Sequence, residues 1–198
     1  MLEIINNVLN YSKIQAGRLS IANEGFDLDR LVASALLAVK PMAEKNHNTI
    51  TVTKSKYPGL IYSDELKLRQ ILINLLSNAA KFTQEGSIDV QITIQPFAQF
   101  DDGRQSACLI MQISDTGIGI PESAWHKLFK PFSQVDESYN RQSEGTGLGL
   151  VLTKSFTELL DGSISLKSEY GAGTQFVVKI PVELEEVLIE RMPTPAVI

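Results

Sequence analysis

Between Ser87 and Asp115 apolar and polar residues alternate twice, and this pattern restricts the fold more than any other in the chain. Ile88, Val90, Ile92 and Ile94 recur at every second position; Leu109, Met111 and Ile113 do so again after a polar loop containing Asp101, Asp102 and Gly103. Strand side chains point alternately to opposite faces, so the two runs predict a pair of antiparallel strands. Thr49 to Thr53 reads as a further strand. So do Ser163 to Ser168 and Thr174 to Val182, joined by a turn at Gly171-Ala172-Gly173. Helical spacing fills much of the rest. Leu68, Leu72, Leu75, Ala79 and Phe82 form one apolar stripe behind a cap at Ser63 or Asp64. Leu28, Leu31, Val32, Ala35, Val39 and Met42 form another behind Phe26 and the N-cap Asp27, with Pro41 as a point for a kink. Residues 2 to 16 carry a bundle-seam spacing, Leu2, Ile5, Leu9 and Ala16, with Gly17 placed to end the helix.

Three segments carry chemistry. On the stripe that ends at Phe82, Asn74, Asn78 and Lys81 flank the apolar face; an amide oxygen is a hard neutral ligand suited to Mg²⁺, and a lysine one turn on can reach a phosphate. The same residues also fit a helix with polar positions at its solvent boundary. Asp115-Thr116-Gly117-Ile118-Gly119-Ile120 puts a carboxylate at a strand end before two glycines. The acid can accept from the amino group of a flat ligand such as adenine, although Asp-x-Gly-x-Gly also makes ordinary turns. Gly145-Thr146-Gly147-Leu148-Gly149-Leu150 opens an apolar helix through Val151, Leu152, Phe156, Leu159 and Leu160, and glycines at a helix start expose N–H groups to an anion. It is neither a Walker loop nor a Rossmann turn. Pro121 starts a helix before the apolar cluster of Trp125, Leu128, Phe129 and Phe132, and the polar segment Ser133 to Glu144 reads as a lid or as an inert loop.

Composition narrows the classes. The 198 residues suffice for one domain, and 43% apolar with 21% charged residues is ordinary for a globular chain. A net charge of −5 argues against non-specific nucleic-acid binding. Cys108 lies in an alternating apolar run, as a core filler does. His47 reads as structural, and His126 lacks the clustered ligands of a zinc site. Leu31 to Val39, the longest mainly apolar run, is about half of the roughly 20 residues a membrane span needs. These features predict a cytoplasmic fragment without membrane contact, whatever the parent protein does.

Taken in order, Asn74 to Phe82, Asp115 to Ile120, Phe129 to Phe132 and Gly145 to Leu150 resemble the asparagine, first glycine, phenylalanine and second glycine boxes of sensor histidine kinase catalytic domains. Ile4 to Leu19 resembles the end of the dimerisation hairpin of those kinases, and Phe132 to Asp136 is similar to hybrid members that carry receiver domains. The resemblance implies an α/β fold of the Bergerat type: a two-layer α/β sandwich with a mixed sheet covered on one face by helices. It implies the end of the hairpin at residues 1–20, the catalytic domain at 21–185 and a tail at 186–198. It implies ATP and Mg²⁺ as ligands, with Asn78 on the metal, Asn74 supporting the metal shell, Lys81 on phosphate and Phe82 beside the nucleotide. Asp115 would take the adenine amino group, with Gly117, Gly119 and Ile120 shaping that pocket and Thr174 making a water-linked contact to the base. Gly145, Thr146, Gly147, Leu148, Gly149 and Leu150 would line the phosphate side, with Phe132 and the lid residue Arg141 close by. The implied partners are the chain's own phosphoacceptor hairpin, a second copy through that hairpin, and a response-regulator receiver.

Two departures bear on mechanism. Related ATPases such as gyrase place a water-activating glutamate where this chain has Asn74, and an amide is no general base near neutral pH. Neither His47 nor His126 stands in the His-Glu context of a phosphoacceptor, so that histidine is expected upstream of Leu2. An ATP-binding scaffold without phosphotransfer and an ATPase clamp are the alternatives.

Overall fold

The two alternating runs become the centre of the sheet. The structure, a computed structural model, describes residues 2–57, 59–99, 105–133 and 147–185. Its elements in chain order are α1 (Leu2–Gln15), β1 (Glu24–Phe26), α2 (Leu28–Lys45), β2 (Thr49–Lys54), β3 (Ile61–Ser63), α3 (Glu65–Phe82), β4 (Ser87–Gln99), β5 (Gln105–Asp115), α4 (Glu122–Trp125), α5 (Gly149–Leu159), β6 (Ser163–Glu169) and β7 (Gly173–Leu184). β5 pairs antiparallel with β4 on one side and with β7 on the other, so that Asp115 lies opposite both Ile88 and Thr174. The strand order is β1-β3-β7-β5-β4-β2. β6 and β3 share the remaining edge of β7, β6 along residues 173–179 and β3 at 183–184. β2 runs parallel to β4 and the other pairs are antiparallel, which makes the sheet mixed.

The core follows from the alternation. Ala107, Leu109, Met111 and Ile113 of β5 are buried together with Ile88, Val90 and Ile92 of β4 and Phe176, Val178 and Ile180 of β7. Against them pack Leu31, Ala35 and Val39 of α2, Leu68, Leu72 and Leu75 of α3, and Leu152 and Phe156 of α5. α2 departs from its predicted stripe at one place. Met42 is 40% exposed and Ala43 is buried, because the face defined by Ala35 and Val39 continues four residues on at 43. The helix runs through Pro41 to Lys45.

The termini of the helices are fixed by local chemistry. α1 ends in a Schellman motif at Gly17 (φ +61°), with Gly17 N–H donating to Ile14 O at 3.0 Å and Arg18 N–H to Lys13 O at 2.9 Å. Asp64, not Ser63, caps α3: its Oδ1 accepts from the Lys67 N–H at 3.0 Å. Its Oδ2 takes the Ala22 N–H at 3.0 Å and the Lys67 ammonium, which ties the 20–23 linker to the start of α3. β1 and β3 carry no sequence signal, since three residues are too few to show a period.

Candidate active site

β5 delivers Asp115 at its last residue, and the following glycines hold it there. Asp115 Oδ1 accepts from the Gly117 N–H at 2.9 Å, and the Thr174 N–H also donates to the carboxylate. Burial nevertheless pushes its carboxyl above the ordinary aspartate range, and those bonds offset the shift only in part. Gly119 (φ +64°) lies so close to β6 that a Cβ would fall 1.9 Å from Glu169 O, and a Cβ on Gly173 (φ +116°) would fall 2.0 Å from Asp115 O. A Cβ at 117 would sit 2.3 Å from Phe82 O. These glycines press backbone on backbone around the acid. The loop is further pinned by Ile118 N–H to Phe82 O (3.1 Å), Gly171 N–H to Ile118 O (2.8 Å) and Trp125 Nε1–H to Ile120 O (3.1 Å). Ile120 N–H donates to Ser168 Oγ at 2.8 Å. If the one Ser168 hydroxyl proton goes to Gly173 O (2.9 Å), Thr174 Oγ1 is the donor in its 2.9 Å contact with Ser168.

The second cluster joins α3 to α5. Asn74 is buried, its Nδ2 donates to Gly149 O (3.0 Å) and Thr153 Oγ1 (3.3 Å), and its Oδ1 accepts from Gln70 Nε2 (2.9 Å). Its amide therefore brackets the first turn of α5. Asn78, one turn further along the same face of α3, and Lys81 are half-buried. Burial lowers the Lys81 pKa, and its Nζ stands 4.9 Å from the centroid of the Phe82 ring. At the α5 N-terminus the N-cap residue Leu148 makes no side-chain cap bond, and the N–H groups of the first turn and the positive end of the helix dipole are of the kind that suits an anion. The backbone at Gly147 has φ +67°, and a Cβ there would meet Ser133 O at 2.9 Å.

The remaining expected residues divide. The Leu148 side chain is fully buried in the core, so only its backbone can serve a ligand; Leu150 is half-buried against the same core. Phe132 is 64% exposed and turns its ring edge-on to Tyr11 of α1, 6.3 Å between centroids. Arg141, Gly145 and Thr146 lie outside the described residues, as do most of the 133–144 segment and the 186–198 tail. Gln70, Thr153 and Ser168 escaped sequence reading because each acts through a contact made only by the fold. Two grooves of about 260 and 250 Å³ lie around Phe97, Asp161 and Pro181, away from Asp115 and the α5 N-terminus; convergence of polar groups, not volume, marks the site.

The histidine kinase-, DNA gyrase B- and HSP90-like ATPase family matches residues 63–184, a span that holds α3, Asp115, Gly149 and Thr174. The chain belongs to this family. It is 36% identical over 187 residues to the autoinducer 2 sensor kinase/phosphatase LuxQ of Vibrio cholerae, covering 94% of this chain and 21% of LuxQ. It is 39% identical over 201 residues to the circadian input-output histidine kinase CikA of Synechococcus elongatus, covering 100% of this chain and 25% of CikA. The chain thus spans a quarter or less of these relatives. The crystal structure of full-length ShkA in complex with AMPPNP superposes with a TM-score of 0.74 at 27% identity, over 94% of this chain and 36% of that one. Family, fold and relatives agree on a histidine kinase-type ATP-binding catalytic domain.

Proposed function

We propose that this domain binds Mg-ATP and donates the γ-phosphate to a histidine on a helical hairpin, whose final turns are residues 1–20. The observation that carries this reading is the arrangement along α3. Phe82 meets the loop that holds Asp115, and Asn74 meets the α5 N-terminus eight residues earlier, about 12 Å along the helix at 1.5 Å per residue. An acceptor for a base and a donor end for phosphates are held apart on one rigid element, as an extended nucleotide requires.

Asp115 accepts the exocyclic amino group of adenine, and Thr174 supports the base through water. The first-turn N–H groups of α5 and the Lys81 ammonium hold the phosphates. Asn78 presents a hard oxygen suited to Mg²⁺, which when bound supplies charge neutralisation on the phosphate oxygens. Asn74, its amide already engaged by Gly149, Thr153 and Gln70, takes no proton from water, so the γ-phosphate is preserved for the imidazole. Residues 21–185 form the catalytic unit and 186–198 a tail. A second copy joined through the hairpin and a receiver domain, with cytoplasmic placement, complete the reading; no helix among the described residues is long and apolar enough to cross a membrane.

Calorimetric titration with and without Mg²⁺ tests the metal assignment. Asn78→Ala should weaken Mg-ATP by about tenfold or more, as losses around a metal site do, and leave metal-free ATP unaffected. Equal losses in both titrations would remove Asn78 from the metal.

A further inference from the structure

Thr83 is 1% exposed; its hydroxyl makes no hydrogen bond of full geometry, yet it stands near enough to the Asp115 carboxylate to be among the groups that draw that carboxyl's pKa down. Its backbone cannot yield: the N–H donates to Ala79 O at 3.1 Å and the carbonyl accepts from Asn48 Nδ2 at 2.8 Å. The side chain is wedged between two glycines. A Cβ on Gly86 would lie 2.6 Å from its Cγ2; a Cβ on Gly117 would lie 2.8 Å from its Oγ1 and 2.9 Å from Asp115 Oδ1. The hydroxyl and the carboxylate therefore border the same small space. A valine would have a similar shape there, so the buried hydroxyl beside the carboxylate asks for a use.

We propose that Thr83 is a positioning residue for base recognition, its hydroxyl closing on the Asp115 carboxylate as the base is seated and orienting that carboxylate toward the exocyclic amino group. This rests on the reading of Asp115 as the base acceptor. Hydrogen bonds of an active site often tighten only in the bound complex, which accounts for the open geometry here. With Gly117 N–H, Thr174 N–H and the Thr83 hydroxyl as donors, three of the roughly four acceptor positions of the carboxylate are used, and one remains for the base.

The test compares ATP with purine riboside triphosphate, which lacks the exocyclic amino group, in the unmodified chain and in Thr83→Val, Thr83→Ser and Asp115→Asn. Thr83→Val should lose about tenfold in ATP affinity, as for an impaired hydrogen bond to a charged acceptor, with little change for the analogue, and Thr83→Ser should recover most of the loss. A Thr83→Val chain that binds ATP normally, or that loses both nucleotides equally, overturns the proposal. If Asp115→Asn erases the preference for ATP and Thr83→Val does not, the positioning role alone fails. If the unmodified chain shows no preference and Asp115→Asn is silent, the base-acceptor reading fails and takes this proposal with it.

Discussion

Two aspartates show how the same side chain is turned to opposite ends by its neighbours. Desolvation acts on both. At Asp64 it is outweighed by the Ala22 N–H, the Lys67 ammonium and the Lys67 N–H, and the pKa falls; at Asp115 it prevails, and the pKa rises. The signs for stability follow. Asp64 has a depressed folded pKa, so its contribution is complete above the ordinary aspartate value and is lost as pH falls through the folded one. Asp64→Ala removes a cap and leaves the Lys67 ammonium without this partner, and thermal unfolding at neutral pH should show a loss of about 2 to 3 kcal/mol that shrinks in acid. Asp115 has a raised folded pKa, so its ionised form costs stability above that value and the cost disappears as pH falls through it. Asp115→Asn should therefore be no less stable than the parent at neutral pH while binding ATP about 1.5 to 3 kcal/mol more weakly, as calorimetry would record. In the unmodified chain, ATP affinity should decline on acidification at a higher pH than an ordinary aspartate would dictate.

At the scale of elements, strict alternation and helical stripes made β4, β5, β6, β7, α2, α3 and α5 legible, because each is long enough to repeat its period. β1 and β3 are not, and neither is the way β3 and β6 divide one edge of β7, which depends on pairing across more than 100 residues. The site was legible as residue types, but not in the contacts that join them. The bond from Asn74 to Gly149 spans 75 residues, so no local pattern shows that this amide also brackets α5. The glycines separate in the same way. Gly119→Ala would force a positive φ and place a methyl group on Glu169 O, so denaturant unfolding should show a loss of about 2 to 4 kcal/mol. Gly149 has a helical backbone, and a Cβ there would meet nothing nearer than Asn74 Cγ at 3.9 Å. Gly149→Ala should leave stability unchanged or raise it by up to about 1 kcal/mol, the helix preference of alanine over glycine.

The whole molecule is a mixed sheet backed by helices, with Asp115, the proposed base acceptor, at the end of its central strand and the proposed phosphate site at the start of the last helix of that layer. α1 leans on it through Tyr11 and Ile14 and leaves Ile5, Val8 and Leu9 exposed. His47 closes α2 with φ +55° and His126 is exposed after α4; neither is placed as an acceptor on a hairpin. Phosphoryl transfer depends on positioning and on stabilising charge in a loose transition state, so an assembled ATP site without an in-line nucleophile should hold its substrate unreacted. The direct measurement incubates this chain with γ-labelled ATP, alone and with a separate hairpin dimer that carries the His-Glu acceptor. Transfer should be slow, because loss of the tether forfeits an effective concentration on the order of millimolar. The expected result is label on the hairpin alone, stable in base and labile in acid. Label on this chain by itself, or none on the hairpin when both proteins are saturating, would contradict the account.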